Sequence, residues 1–266
     1  MKTNFDINDF AEFCRTNRPA YHEHYYAMYS SWWDAITTEP NLMVIPLDDH
    51  MVHRGDGLFE TVKCVNGVVY NMHAHLERLE NGARAIALKM PWSRADIQRI
   101  MGDVLRAGGR RDALIRIFIS RGPGGHSANP YECPAPLLFV LAIRLPPPFM
   151  TASPAGARVG VSTVPGKPGL FAQVKSVNYL PNVMMKKQAV DTGVDFMLGF
   201  DPQGHMPKFL TQSLAIVPPA RVLRVPNPDH ILLGTTMQRV MELAREQLVP
   251  AGILAGVEEA DVPREE

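Results

Sequence analysis

The run Leu58-Phe59-Glu60-Thr61-Val62-Lys63-Cys64-Val65-Asn66-Gly67-Val68-Val69-Tyr70-Asn71-Met72 decides the fold class. Two β-prone segments, Leu58 to Val65 and Val68 to Met72, flank Asn66-Gly67. That dipeptide tolerates the positive φ values of a type I′ turn, so the run reads as an antiparallel hairpin. Upstream, Leu42 to Leu47 reads as another strand. Downstream a helix begins at about Ala74, with Leu76, Leu79, Ala83, Ile86 and Met90 at helical spacing, and it ends before Pro91. Ser93 and Asp96 have the spacing of an N-cap and its reciprocal acid, opening a second helix that Gly108-Gly109 closes. Ala113 to Ser120 and Leu137 to Ile143 are two more apolar strands. Strands followed by helices followed by strands make an α+β domain.

Leu145-Pro146-Pro147-Pro148 and the small residues through Ala157 form a stiff, poorly packing stretch. The reading therefore divides the chain into residues 1–149 and 150–266. In the second part, Arg158 to Thr163, Asp195 to Phe200, Leu214 to Val217 and Arg221 to Val225 read as strands. Helices are expected from about Asn182 to Asp191 and from Gly234-Thr235-Thr236 onward, and Asp201-Pro202-Gln203-Gly204 reads as a turn. The segment 1–40 carries Tyr25, Tyr26, Tyr29, Trp32 and Trp33, which suit a packing segment or an aromatic lid.

With 266 residues, 46% of them hydrophobic and 20% charged, the chain can bury a substantial core. Lysine plus arginine, 27, equals aspartate plus glutamate, 27, and no basic stripe stands out, which argues against a nucleic-acid partner. Cys14, Cys64 and Cys133 are odd in number and far apart, as expected of structural thiols in a reducing compartment. No apolar leader segment and no long apolar run is seen, so a cytoplasmic protein with no membrane partner is expected.

Chemistry concentrates in Lys175-Ser176-Val177-Asn178-Tyr179-Leu180-Pro181-Asn182. A lone lysine among apolar neighbours is a candidate nucleophile for a carbonyl cofactor, or a lysine whose stem packs while its head reaches water. Gly234-Thr235-Thr236 reads locally as a threonine N-cap, and it also offers a phosphate dianion the unpaired amides and positive dipole of a helix start. Arg78 lies at the edge of its helix's apolar face, placed to grip a phosphate or to pair with Glu77 or another acid.

Taken in order, Val52-His53-Arg54-Gly55-Asp56-Gly57-Leu58-Phe59-Glu60-Thr61, His75-Leu76-Glu77-Arg78-Leu79, the Lys175 run and Gly234-Thr235-Thr236 resemble the class IV pyridoxal-phosphate aminotransferases, from about residue 40 to 262. That family includes branched-chain and D-amino-acid aminotransferases and aminodeoxychorismate lyases. The resemblance implies a two-domain α+β protein of fold type IV, with a small N-terminal and a larger C-terminal domain, working as a homodimer on pyridoxal 5′-phosphate. It makes Lys175 the Schiff-base lysine that also shuttles the substrate Cα proton. Arg78, Thr235 and Thr236 become phosphate ligands, and Tyr179 the neighbour of the cofactor's ring hydroxyl. The implied activity is transfer of an amino group from a branched-chain or D-amino acid to a 2-oxo acid. The alternative is release of pyruvate and 4-aminobenzoate from aminodeoxychorismate.

Three departures qualify the resemblance. Where the family has a glutamate facing the pyridine nitrogen, an ungapped match puts Lys208, in cofactor-binding range or on a rearranged, solvent-facing hairpin. An ammonium about 4 Å from a ring proton would oppose protonation by roughly 4 kcal/mol at an effective dielectric near 20. The family continues beyond the equivalent of Glu266, so the C-terminal domain is expected to be shortened, and with Lys208 this raises a catalytically impaired relative as a third reading. The loop Pro123-Gly124-Gly125-His126-Ser127-Ala128 keeps His126, and Arg54 is the other nearby cation, as candidates for the substrate carboxylate.

Overall fold

The computed structural model describes residues 1–167, 169–200, 212–228 and 231–262. Two compact units emerge, Met1–Pro146 and Pro147–Glu266.

In the first unit, α1 (Ile7–Thr16), β1 (Tyr25–Ser30), β2 (Ala35–Thr37) and α2 (His50–His53) precede the hairpin of β3 (Gly57–Val65) and β4 (Val68–Val69). Then come α3 (Met72–Ala85), α4 (Arg94–Gly108), β5 (Ala113–Ser120) and β6 (Leu137–Ile143). The strands form one antiparallel sheet in the order β2-β1-β6-β5-β3-β4. Asn66 and Gly67 take φ of 54° and 81°, as a type I′ turn requires, and Val65 pairs directly with Val68. Strand alternation buries Ala113, Ile115, Ile117 and Ile119 on one face of β5. Against this sheet, α3 packs on β3 and α4 on β1 and β6. The α4 start is a capping box: Asp96 N donates to Ser93 Oγ at 3.1 Å and Ser93 N to Asp96 Oδ2 at 3.0 Å.

Some boundaries differ from the sequence reading. Leu42 to Leu47 forms no strand. Val44, Ile45 and Leu47 are exposed and Pro46 has no amide to give a ladder, so of this run Met43 packs on the Met28–Leu137–Phe139 cluster without strand pairing. The aromatic segment before residue 40 instead supplies β1, where Ala27 and Met28 are buried, while Trp32 and Trp33 stay exposed at the β1–β2 turn. Strand β4 stops early because Asn71 enters the left-handed region, φ 49°, and α3 starts at Met72.

The second unit holds α5 (Phe149–Ala152), β7 (Val159–Val161), α6 (Leu170–Gln173), α7 (Leu180–Asp191), β8 (Phe196–Leu198), β9 (Val222–Pro226), α8 (Thr235–Leu243) and β10 (Gly256–Ala260). Its strands pair in parallel, β7 with β8 and β9 with β10, so each pair is bridged by a helical crossover, α7 for one and α8 for the other. Met185 and Ala189 of α7 pack with Met197 of β8; Met237 and Met241 of α8 pack with Leu223 and Val225 of β9. Among the described residues, Leu214 to Val217 contributes the isolated Ile216–Arg224 bridge and no strand. Strand β10 escapes a propensity reading because its core is Val257-Glu258-Glu259-Ala260; the Arg224–Glu258 ion pair compensates. The three cysteines are free. No helix among the described residues is long and apolar enough to cross a membrane.

Ile117 is fully buried in the middle strand of the sheet. Ile117→Ala is expected to cost about 2–5 kcal/mol of stability in urea unfolding, whereas Val68→Ala, on the exposed hairpin edge, should change it by less than about 0.5 kcal/mol.

Candidate active site

Glu60 occupies an inward position of β3, between Leu58 and Val62, and none of it reaches solvent. A lone carboxylate there would be prohibitively costly, and α3 supplies its partners one turn apart. His75 Nδ1 lies 2.8 Å from Glu60 Oε2, while Arg78 donates through Nε to Oε1 at 2.7 Å and through Nη2 to Oε2 at 2.8 Å. Burial alone pushes the Glu60 carboxyl up. The hydrogen bonds from His75 and Arg78 and the guanidinium charge outweigh it, so the carboxyl sits below its ordinary range. Arg78 thus finds its acid in β3 rather than in its helix neighbour Glu77: Glu60 holds its Nε–Nη2 edge and sets the plane of the fork. A guanidinium carries further donors, and one held in plane suits a planar or tetrahedral anion.

A second polar cluster joins α2 to the loop after β5. Asp49, fully buried, accepts from Ser120 Oγ at 2.6 Å and from Met51 N at 2.8 Å, the latter capping α2. Its carboxyl is raised by burial, with the Ser120 bond opposing the shift. Asp56 takes a two-point grip from Arg121, Nε at 2.9 Å and Nη2 at 3.0 Å, and Arg121 also reaches the Ile86 and Ala87 carbonyls. His50 Nε2 lies 3.0 Å from Gly125 O. Arg54 and His126, both anticipated at the substrate, do meet in this cluster, through the backbone. Arg54 donates to the carbonyls of His53, His126 and Ser127, stapling the loop, and the His126 ring lies 5.4 Å from that of His53. Glycine is obligatory in this loop: a Cβ on Gly122 would come 1.8 Å from Ala135 O at a φ of 100°.

In the second unit, Lys175 is half-buried between buried Val174 and Ser176. Ser176 Oγ is enclosed and has no hydrogen-bond partner among the described residues. Tyr179 is the residue before α7, with Pro181 in the first turn, where its missing amide costs nothing. Lys167 Nζ stands 5.1 Å from the Tyr179 ring centroid. Gly234 is the residue before α8 and has no side chain of its own to cap it, Thr235 is buried and Thr236 exposed. A Cβ on Gly234 would lie 2.3 Å from Ser213 Oγ, so glycine lets that hydroxyl approach the helix start. Lys208 lies outside the described residues, as does the turn Asp201–Gly204. No cluster of three metal-ligating side chains occurs among the described residues.

Sequence reasoning left Glu60, Asp49, Lys167 and Ser213 without a role. Glu60 had a usable signal: an acid at an inward position of an alternating strand, followed by His75 and Arg78 three residues apart on one helix face. Ser213 and Lys167 had none, since loop conformation alone brings them to their neighbours.

The sequence profile of the family described as amino-transferase class IV matches residues 57–265. A chloroplastic D-amino-acid transaminase of Arabidopsis thaliana is 38% identical over 245 residues, covering 92% of this chain and 65% of that protein. A Mycobacterium tuberculosis protein named bifunctional aminodeoxychorismate lyase / D-amino acid transaminase is 27% identical over 237 residues, 80% of this chain and 76% of that one. Among solved structures, the T.th. branched-chain amino acid aminotransferase with pyridoxamine 5′-phosphate superposes with a TM-score of 0.81 at 20% identity, covering 91% of this chain and 78% of that one. The likeness is one of fold.

Glu60→Gln strands the Arg78 guanidinium beside a neutral amide and should cost about 3–5 kcal/mol at neutral pH. Because the folded carboxyl is held below its unfolded value, that contribution is complete above about pH 4.3 and fades as pH falls through the folded value. Chemical denaturation of both proteins from pH 7 to pH 3 should show the gap narrowing only in the acid range; a constant gap contradicts the assignment.

Proposed function

Because the chain belongs to the class IV aminotransferases, we propose that it is a pyridoxal 5′-phosphate-dependent transaminase moving an amino group from a D-amino acid to a 2-oxo acid. One observation carries the reading: half-buried Lys175 stands beside an enclosed Ser176 hydroxyl that no described residue satisfies. A buried hydroxyl in that position is met by an ordered water or by a polar ligand, and beside Lys175 the cofactor can supply the latter. The remaining residues fit the cofactor. In the second unit the start of α8, with Thr235, Thr236 and the approaching Ser213 hydroxyl, suits its phosphate, and in the first unit Arg78, fixed in plane by Glu60, has by itself the chemistry of an anion ligand. The identity with the plant D-amino-acid transaminase over most of this chain supports the stereochemistry.

Bound pyridoxal phosphate supplies an electron-withdrawing ring that makes the substrate's α-proton acidic. Lys175 Nζ serves as general base and acid for the proton at the substrate Cα. Tyr179 orients the ring through its phenol, and Arg54 holds the loop that presents His126 to the substrate carboxylate. The working unit is a cytoplasmic homodimer. Aminodeoxychorismate cleavage is the second reading, favoured by the relative that carries both names.

Purified protein given D-alanine and 2-oxoglutarate should form pyruvate only when the acceptor is present. Lys175→Ala should lower that rate by at least about 10²–10⁴-fold. Turnover confined to L-leucine removes the D-specific claim. Pyruvate released from aminodeoxychorismate without any acceptor, and none from D-alanine, moves the chain to the lyase reading.

A further inference from the structure

Lys167 lies in the loop between β7 and α6, ahead of Lys175 in the same connection, and the proposed chemistry gives it nothing to do. Its ammonium is nevertheless placed over the Tyr179 ring, Nζ 5.1 Å from the centroid. That is inside the ~6 Å over which the negative face of an aromatic ring attracts a cation. Tyr179 N donates to Val177 O at 2.7 Å, a tight turn that fixes where the side chain leaves the backbone. The turn of the ring plane is set further out, by what the ring meets. The lysines of α7 are engaged elsewhere: Lys186 reaches the Asp195 carbonyl and Lys187 pairs with Asp191. Burial holds the Lys167 ammonium below its ordinary pKa, and a cation that has lost part of its hydration gains more from a ring face than an exposed one.

We infer that Lys167 is a positioning residue of the proposed site: its ammonium on the Tyr179 face fixes the ring plane and strengthens the phenol as a hydrogen-bond donor to the cofactor's ring oxygen. The inference rests on the transaminase reading, which puts Tyr179 beside the cofactor. The electrostatics follow from placing a positive charge near a group that becomes negative on ionisation, which favours the ionised form and polarises the O–H bond short of it. Arginine can keep the contact, with its delocalised cation over the same ring; methionine keeps the stem and removes the charge.

Four proteins test it: wild type, Lys167→Arg, Lys167→Met and Lys167→Gln, the last a second neutral variant should methionine disturb folding. In cofactor-stripped protein at neutral pH, where lysine and arginine both carry their charge, the near-ultraviolet absorbance of Tyr179, isolated by subtracting Tyr179→Phe, should be displaced from wild type in the methionine and glutamine variants and unchanged in the arginine variant. On adding pyridoxal 5′-phosphate, the neutral variants should bind it between about twofold and thirtyfold more weakly, with a displaced absorption maximum, while arginine stays close to wild type. A purely structural role would not be rescued by arginine in both readouts. A wild type that binds the cofactor and neutral variants indistinguishable from it overturn the role of Lys167 alone. A wild type that takes up no cofactor overturns the transaminase reading together with this inference.

Discussion

A carboxylate with no access to water, Glu60, is the constraint around which the first unit is arranged. It is held ionised there by His75 and Arg78, which deliver three hydrogen bonds to its two oxygens, with the Thr61 amide adding a longer one at 3.3 Å. Those partners come from α3, so the pair ties the helix to β3 at a place where apolar packing alone would tolerate sliding. The same contact immobilises the guanidinium. Arginine is usually a long side chain with many rotamers, and freezing it in advance removes an ordering cost that anion binding would otherwise carry. One buried ion pair thus ties the helix to the strand and fixes the plane of the guanidinium that the proposed reading assigns to the phosphate.

The loop cluster around α2 follows the same logic with different chemistry. Asp49, Asp56, Arg54 and Arg121 look in sequence like a scatter of charges on a polar loop. In the fold each is engaged: Asp49 accepts from the Ser120 hydroxyl and the Met51 amide, Asp56 accepts from Arg121, and Arg54 donates to the carbonyls around His126. A loop with Gly122, Gly124 and Gly125 would be mobile on backbone entropy alone. Close approach to Glu132 and Ala135, which only glycine permits, and the arginine staple hold it in one shape.

Much of this was legible in residue order. The Asn66-Gly67 hairpin, the Ser93–Asp96 capping box, strands β5 and β6 and the helix beginning at Thr235 follow from local rules, because turn and cap chemistry act over four residues or fewer. What was not legible depended on distant partners. Leu42 to Leu47 has strand composition but lacks a sheet edge, and β10 has poor strand composition but gains one beside β9 with Arg224 to neutralise Glu258. Among the residues proposed for the site, Lys175, Arg78, Tyr179 and the Thr235–Thr236 pair stood out by their order along the chain. Glu60, the acid that holds Arg78, and Lys167, the cation over Tyr179, required the fold to bring them to their partners.

The account turns on Lys175 being the amine that engages the cofactor, with Lys167 close by in sequence as a positioning charge. Borohydride reduction of the cofactor-loaded protein, followed by proteolysis and mass mapping, reads this directly by fixing the cofactor to whichever lysine holds it. The account predicts a phosphopyridoxyl group on the peptide containing Lys175 and on no other lysine. A label on Lys167, or a loaded protein that yields no labelled lysine, would contradict it.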